Sequence, residues 1–126
     1  MYVPLNTDVT YDDTKPFSKA VAELLEKQHP DLVVSRQTKE LRPGKVLVDW
    51  SQNDQHKTTV NVYSVRAKER PTVSTPVAWE EVERCLDAGD ADLLVFDTGD
   101  VLARIGDQGD LFGPVLAMSQ QLPHFG

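Results

Sequence analysis

The chain reads as an α/β (α+β) protein, a small mixed or antiparallel sheet packed in two layers with helices. Three observations predict this. Phe17, Val21, Leu24 and Leu25 recur at i, i+4, i+7 and i+8, which is one apolar stripe on a helix. Val46, Val48 and Trp50 alternate with Lys45, Leu47 and Asp49, the two-residue period of a strand. Thr58 to Arg66 is rich in Thr, Val and Tyr and suits a second strand. At 126 residues there is chain enough for one core, so residues 1–126 are read as a single domain.

The elements follow in order. Asp12-Asp13-Thr14-Lys15-Pro16 predicts a helix start, with a capping side chain, acids near the N-terminus and proline in the first turn. The helix runs over about 15–28 and His29-Pro30 ends it. Leu32-Val33-Val34 is apolar and β-branched but short. Ser35 to Leu41 has room for a short helix, stopped by Pro43-Gly44. The polar Ser51–Lys57 loop between the strands at 45–50 and 58–66 predicts an antiparallel hairpin. Ala67 to Pro76 is a charged connection. A helix near 77–86 puts Val82, Cys85 and Leu86 on one face. Leu93-Leu94-Val95-Phe96 is a short strand candidate, and Asp97-Thr98-Gly99-Asp100 caps a helix carrying Val101, Leu102 and Ile105.

Composition narrows the function classes. The net charge of −7 argues against a freestanding nucleic-acid binder. The charge is unevenly spread, however. Residues 36–70 hold eight Lys/Arg against four acids, whereas residues 79–126 hold ten acids against two arginines. The middle of the chain can thus present a basic face, or the charges are simply a solvated scatter. A single cysteine, Cys85, excludes an internal disulfide and cysteine-based metal clusters. No apolar run is long enough for a membrane span, and Met1-Tyr2-Val3-Pro4-Leu5 lacks the features of a signal peptide. The expected location is the cytoplasm.

Asp49 is the residue that asks for an explanation. A carboxylate in an apolar strand is costly unless it is paired or holds a metal. It is an exposed-face residue, a metal ligand, or a partner for an arginine; Arg42 and Arg66 flank the strand pair and are the candidates for an ion pair. His29, His56 and His124 have no second ligand at metal spacing. Trp50 and Trp79 read as packing residues. No glycine-rich phosphate loop is present, and Asp97, Asp100, Asp107 and Asp110 lack the spacing of a calcium loop.

The segment Arg42-Pro43-Gly44-Lys45-Val46-Leu47-Val48-Asp49-Trp50-Ser51-Gln52-Asn53 resembles part of the polymerase domain of LigD-type bacterial DNA repair ligases, in the archaeo-eukaryotic primase superfamily. Lys57-Thr58-Thr59-Val60, Tyr63-Ser64-Val65-Arg66-Ala67 and Val73-Ser74-Thr75-Pro76-Val77-Ala78-Trp79-Glu80-Glu81-Val82 continue the likeness. Tyr2-Val3-Pro4-Leu5, Tyr11-Asp12 and His29-Pro30-Asp31 also look like family positions.

The resemblance implies a partial primase-polymerase fold that corresponds to the C-terminal portion of the polymerase domain. It implies nucleotidyl transfer in non-homologous end joining, with DNA ends and nucleoside triphosphates as partners and manganese or magnesium as cofactor. On this likeness Asp49 is the third carboxylate of a two-metal centre. Arg42 and Arg66 lie near nucleotide phosphates, where a guanidinium meets phosphate oxygens in pairs. Lys39 and Lys68 extend the basic face, with Lys68 standing where arginine is usual.

The family's other two metal carboxylates form an Asp-x-Asp pair upstream of the matching segments. Here Asp90-Ala91-Asp92 has that spacing but falls in a downstream turn. The expectation is therefore a truncated or split polymerase, inactive alone, that needs a complementary polymerase half or associates with itself. Two other classes stay open: a non-catalytic nucleotide- or DNA-binding module, and an acidic interaction protein that keeps the scaffold.

Overall fold

The computed structural model describes residues 1–124. Two compact units make up the chain. One comprises residues 7–59 with the segment that begins at Ser119, and the other residues 1–6 with 60–118.

The first unit is built on helix α1, Tyr11–Gln28. It starts about four residues before the expected 15–28, and its cap lies ahead of the acidic run. Thr10 is the cap: its hydroxyl accepts from Asp12 N–H, and Asp13 returns a carboxylate oxygen to Thr10 N–H at 2.8 Å. This reciprocal box satisfies two N–H groups that the first turn cannot pair internally. Ala22, between the predicted apolar positions, is the helix residue that is fully buried, while Leu24 is half exposed.

Strands β1, Val33–Val34, and β2, Val46–Leu47, lie beside α1 and pair in parallel, Val33 with Val46 and Val34 with Leu47. Val34 is the largest fully buried side chain among the described residues. The connection between the strands contains a single 3-10 turn at Lys39–Leu41. It then reverses at Arg42-Pro43-Gly44-Lys45, where Lys45 N–H donates to Arg42 O at 2.8 Å. Gly44 has φ +71°, the left-handed value a type II turn needs after proline.

The second unit holds an antiparallel pair, β3 at Val65–Arg66 and β4 at Thr72–Val73. Helices α2, Trp79–Ala88, and α3, Thr98–Gln108, follow, and then the short α4, Pro114–Ala117. Asp97 caps α3 as expected, accepting from Asp100 N–H at 2.9 Å while Asp100 returns the bond to Asp97 N–H. Gly89 closes α2 with φ +61°. Val73 and Val101 are the buried apolar side chains of this unit.

The mixed α/β class holds, with helices and small sheets. The expected hairpin does not form. The strand expected at 45–50 is two residues long and pairs with β1, and the strand expected at 58–66 shrinks to β3, which pairs with β4. Alternation marks a strand but carries no information about its partner, and the parallel pair beneath α1 buries Val34. Leu93–Phe96 is not a strand: Ala91–Leu94 form a 3-10 turn capped by Asp90, although Phe96 O still accepts from Val73 N–H at 2.9 Å. Leu86 and Trp79 are 79% and 70% exposed, so neither is the packing residue its helix position suggested. No helix among the described residues is long and apolar enough to cross a membrane.

Candidate functional site

Asp49 sits beyond the end of β2, not within a strand. The ladder ends when Val48 N–H donates to Val34 O at 3.0 Å. The chain then tightens into a 3-10 turn at Trp50–Gln52, with Asp49 in the position just before it. Trp50 holds this turn in place. Its indole N–H donates to Ser35 O at 3.0 Å, and the Lys19 ammonium lies 5.1 Å from its ring centroid. Lys15 of α1 pairs with Asp54 just past the turn. That contact is the main reason the Asp54 carboxyl is held below its ordinary range.

A second contact ties α1 to the start of the β1–β2 connection. Buried Ser35 donates its hydroxyl to Glu26, whose other oxygen faces Arg36 at 3.3 Å. The Ser35 hydrogen bond leads the effects that lower the Glu26 carboxyl.

The Asp49 side chain is half buried and its Oδ1 accepts two hydrogen bonds, from Gln37 Nε2 at 2.8 Å and Ser51 Oγ at 2.6 Å. Gln37 also reaches Arg42: its backbone carbonyl accepts from Arg42 Nη2 at 2.5 Å. Two sequence-predicted residues, Asp49 and Arg42, thus come together on one glutamine. Nothing in the sequence marks Gln37, an exposed polar residue in a polar run without periodicity. Lys39 begins the neighbouring 3-10 turn and is exposed.

Arg66 and Lys68 belong to the other unit, on and just after β3, and both are exposed. A residue ahead of them carries backbone strain. Tyr63 has φ +63°, a left-handed value rare for a bulky residue. It is fixed there by its N–H to Ser74 O at 2.7 Å and by its hydroxyl to Asp110 Oδ1 at 2.5 Å. Burial, reinforced by that carboxylate, pushes the Tyr63 hydroxyl above its usual range.

A carboxylate oxygen is a hard donor suited to magnesium or manganese. Asp49 can supply one such ligand. Among the described residues, however, no group of three or more His, Cys, Asp or Glu side chains is arranged to hold a metal. These residues therefore do not fit a two-metal centre by themselves.

A family model described as LigD, primase-polymerase domain, matches residues 1–112. The chain is 38% identical over 115 residues to the multifunctional non-homologous end joining protein LigD of Mycolicibacterium smegmatis, a match covering 91% of this chain and 14% of that protein. It is 42% identical over 111 residues to the corresponding Mycobacterium tuberculosis DNA repair protein, covering 88% of this chain and 14% of the relative. A bifunctional LigD of Bacillus subtilis is 33% identical over 110 residues, covering 86% of this chain and 17% of its own length. Among solved structures, the polymerase domain from Mycobacterium tuberculosis ligase D in complex with DNA superposes with a TM-score of 0.80 at 39% identity, covering 93% of this chain and 39% of that one. The chain thus spans about one-seventh of the length of the mycobacterial relatives. On sequence and fold together, it belongs to the LigD primase-polymerase domain family.

Proposed function

We propose that this chain is one part of a nucleotidyl-transferring polymerase of non-homologous end joining, acting in the cytoplasm on DNA ends. It corresponds to the C-terminal portion of the polymerase domain, as one domain over residues 1–126. The observation that carries the reading is the Arg42–Gln37–Asp49 arrangement: a carboxylate whose Oδ1 is fixed by two neutral donors, beside a guanidinium held on the same glutamine. The similarity to a polymerase domain solved in complex with DNA supports it.

In this reading Asp49 would be a metal-ligating carboxylate, Arg42 and Arg66 would each meet phosphate oxygens, and Lys39 and Lys68 would add positive charge to their own units. Guanidinium groups suit this role because their fork of donors matches phosphate oxygens. Asp49 would supply one oxygen ligand to manganese or magnesium, whose chemistry, if bound, would be to offset negative charge on phosphate oxygens. Asp49 alone cannot hold two cations, so the remaining carboxylates come from a complementary polymerase segment or a partner chain.

Primer extension tests this. With gapped DNA, nucleoside triphosphates and manganese, the chain alone is expected to give no template-dependent incorporation. Robust incorporation that is abolished by Asp49→Ala would refute the requirement for a second part. Salt-dependent DNA binding that persists with no incorporation, even when the complementary segment is supplied, would instead favour a non-catalytic binding module.

A further inference from the structure

Gln37 stands between two groups of opposite charge. Its side-chain amide donates to Asp49 Oδ1 at 2.8 Å, and its backbone carbonyl accepts from Arg42 Nη2 at 2.5 Å. An ionised carboxylate only accepts, so the amide must turn its NH₂ toward Asp49. A guanidinium and a carboxylate that can reach each other pair readily, often through two parallel hydrogen bonds. Here they do not. The ion pairs among the described residues are Lys15–Asp54, Lys19–Glu23, Arg36–Glu26 and Arg104–Glu81. Meanwhile the Arg42 Nε–H is buried with no hydrogen-bond partner, so its present contacts leave the guanidinium unsatisfied.

We propose that Gln37 is a positioning residue that keeps Arg42 and Asp49 from neutralising each other, so that the Arg42 guanidinium stays available to a polyphosphate ligand. This rests on the phosphate-binding role read for Arg42 above. A side-chain amide suits the task because it offers a donor to the anion and adds no charge, while the backbone carbonyl of the same residue accepts from the cation. An apolar side chain at this position strips one donor from Asp49. The carboxylate is then one donor short, and the Arg42 guanidinium, which is held on the same residue and has an unpartnered Nε–H, can supply it. A competing ion pair at a partly exposed site weakens phosphate binding about three- to fivefold.

The test uses the full chain and inorganic triphosphate in the presence of a metal chelator, with affinity read by calorimetry. Far-UV circular dichroism and the Trp50 indole N–H signal, which reports its bond to Ser35, verify the fold of each variant. Arg42→Ala is expected to abolish binding, and Gln37→Leu to weaken it about three- to fivefold. Asp49→Asn is expected to restore binding in the Gln37→Leu background by a larger factor than it changes binding with Gln37 in place. Gln37→Met, closer in length, repeats the measurement should the leucine variant fail to fold.

Binding unaffected by removal of the amide overturns the proposal. So does an Asp49→Asn effect of equal size in both backgrounds. Triphosphate binding that is absent, or that ignores Arg42→Ala, overturns the phosphate-binding reading itself and the spacer role with it.

Discussion

Arg104 of α3 grips Glu81 of α2 with both ends of its guanidinium: Nη1 meets Oε1, and Nη2 meets Oε2 at 2.9 Å. The two side chains are only 15% and 14% exposed. Arg104 also donates to Pro76 O at 3.1 Å and stacks 4.3 Å from the Phe96 ring centroid. Glu81 in turn accepts from Ala78 N–H at 2.8 Å, so the same carboxylate caps α2 and anchors α3. Removing one partner leaves the other poorly solvated and unpaired. Glu81→Gln is therefore expected to destabilise the protein by about 2–3 kcal/mol at neutral pH, measured by urea unfolding.

The same pair makes stability depend on acid. Hydrogen bonds from Arg104, opposed by burial and helped by Ala78 N–H, bring the Glu81 carboxyl down from 4.5 to about 2. An unfolded chain takes up that proton first as pH falls. The stabilisation from Glu81 is thus complete above about pH 5 and drains away between about 4.5 and 2. Glu26, Asp54, Asp97 and Asp110 are lowered as well and share in the acid loss. The Glu81 contribution appears as the difference between the wild-type and Glu81→Gln unfolding profiles, which should converge as pH drops through this window.

Val34 is 2% exposed, in the strand that joins α1 to β2. Val34→Ala removes two methyl groups from a packed site and should cost about 1–2 kcal/mol. Because Val34 O is the acceptor that ends β2, loosening here also reaches Asp49. Amide hydrogen exchange at Val48 and Trp50 is expected to speed up by more than exchange in α3. Equal acceleration in both places would argue against that local route.

Gly44 makes the turn that separates Arg42 from β2. A methyl group added there meets no atom within 4 Å, so the cost of Gly44→Ala is conformational and not steric crowding. At φ +71° it amounts to about 1 kcal/mol. The expectation is a drop in Tm of a few degrees with α1 helicity unchanged, by calorimetry and circular dichroism.

Arg66 is exposed on β3, so its loss should barely affect folding, within about 0.5 kcal/mol. If it meets phosphate, Arg66→Ala weakens DNA binding alike on all sequences and lowers the salt slope by about one. Fluorescence anisotropy at several salt concentrations measures both. An unchanged slope would remove Arg66 from the phosphate surface.

The three longer helices could be read from the sequence by itself, because what makes them is local; the four-residue α4 was not. The apolar stripe of α1 and the Asp97–Asp100 box of α3 both act within a few residues along the chain. The residues that match the polymerase family were legible for the same reason, as contiguous runs from Arg42 to Asn53 and beyond. Strand pairing was not legible. The run at 45–50 has the right period for a strand, but its hydrogen bonds go to Leu32 and Val34 across a connection whose sequence does not announce the return. Nor was the setting of Asp49 legible: pairing with β1 ends the strand before it, and the turn at Trp50 carries its carboxylate to Gln37 and Ser51. Sequence marked Asp49 and Arg42 as the residues to watch; only tertiary structure placed one glutamine between them, because hydrogen bonds between distant segments depend on packing and not on local propensity.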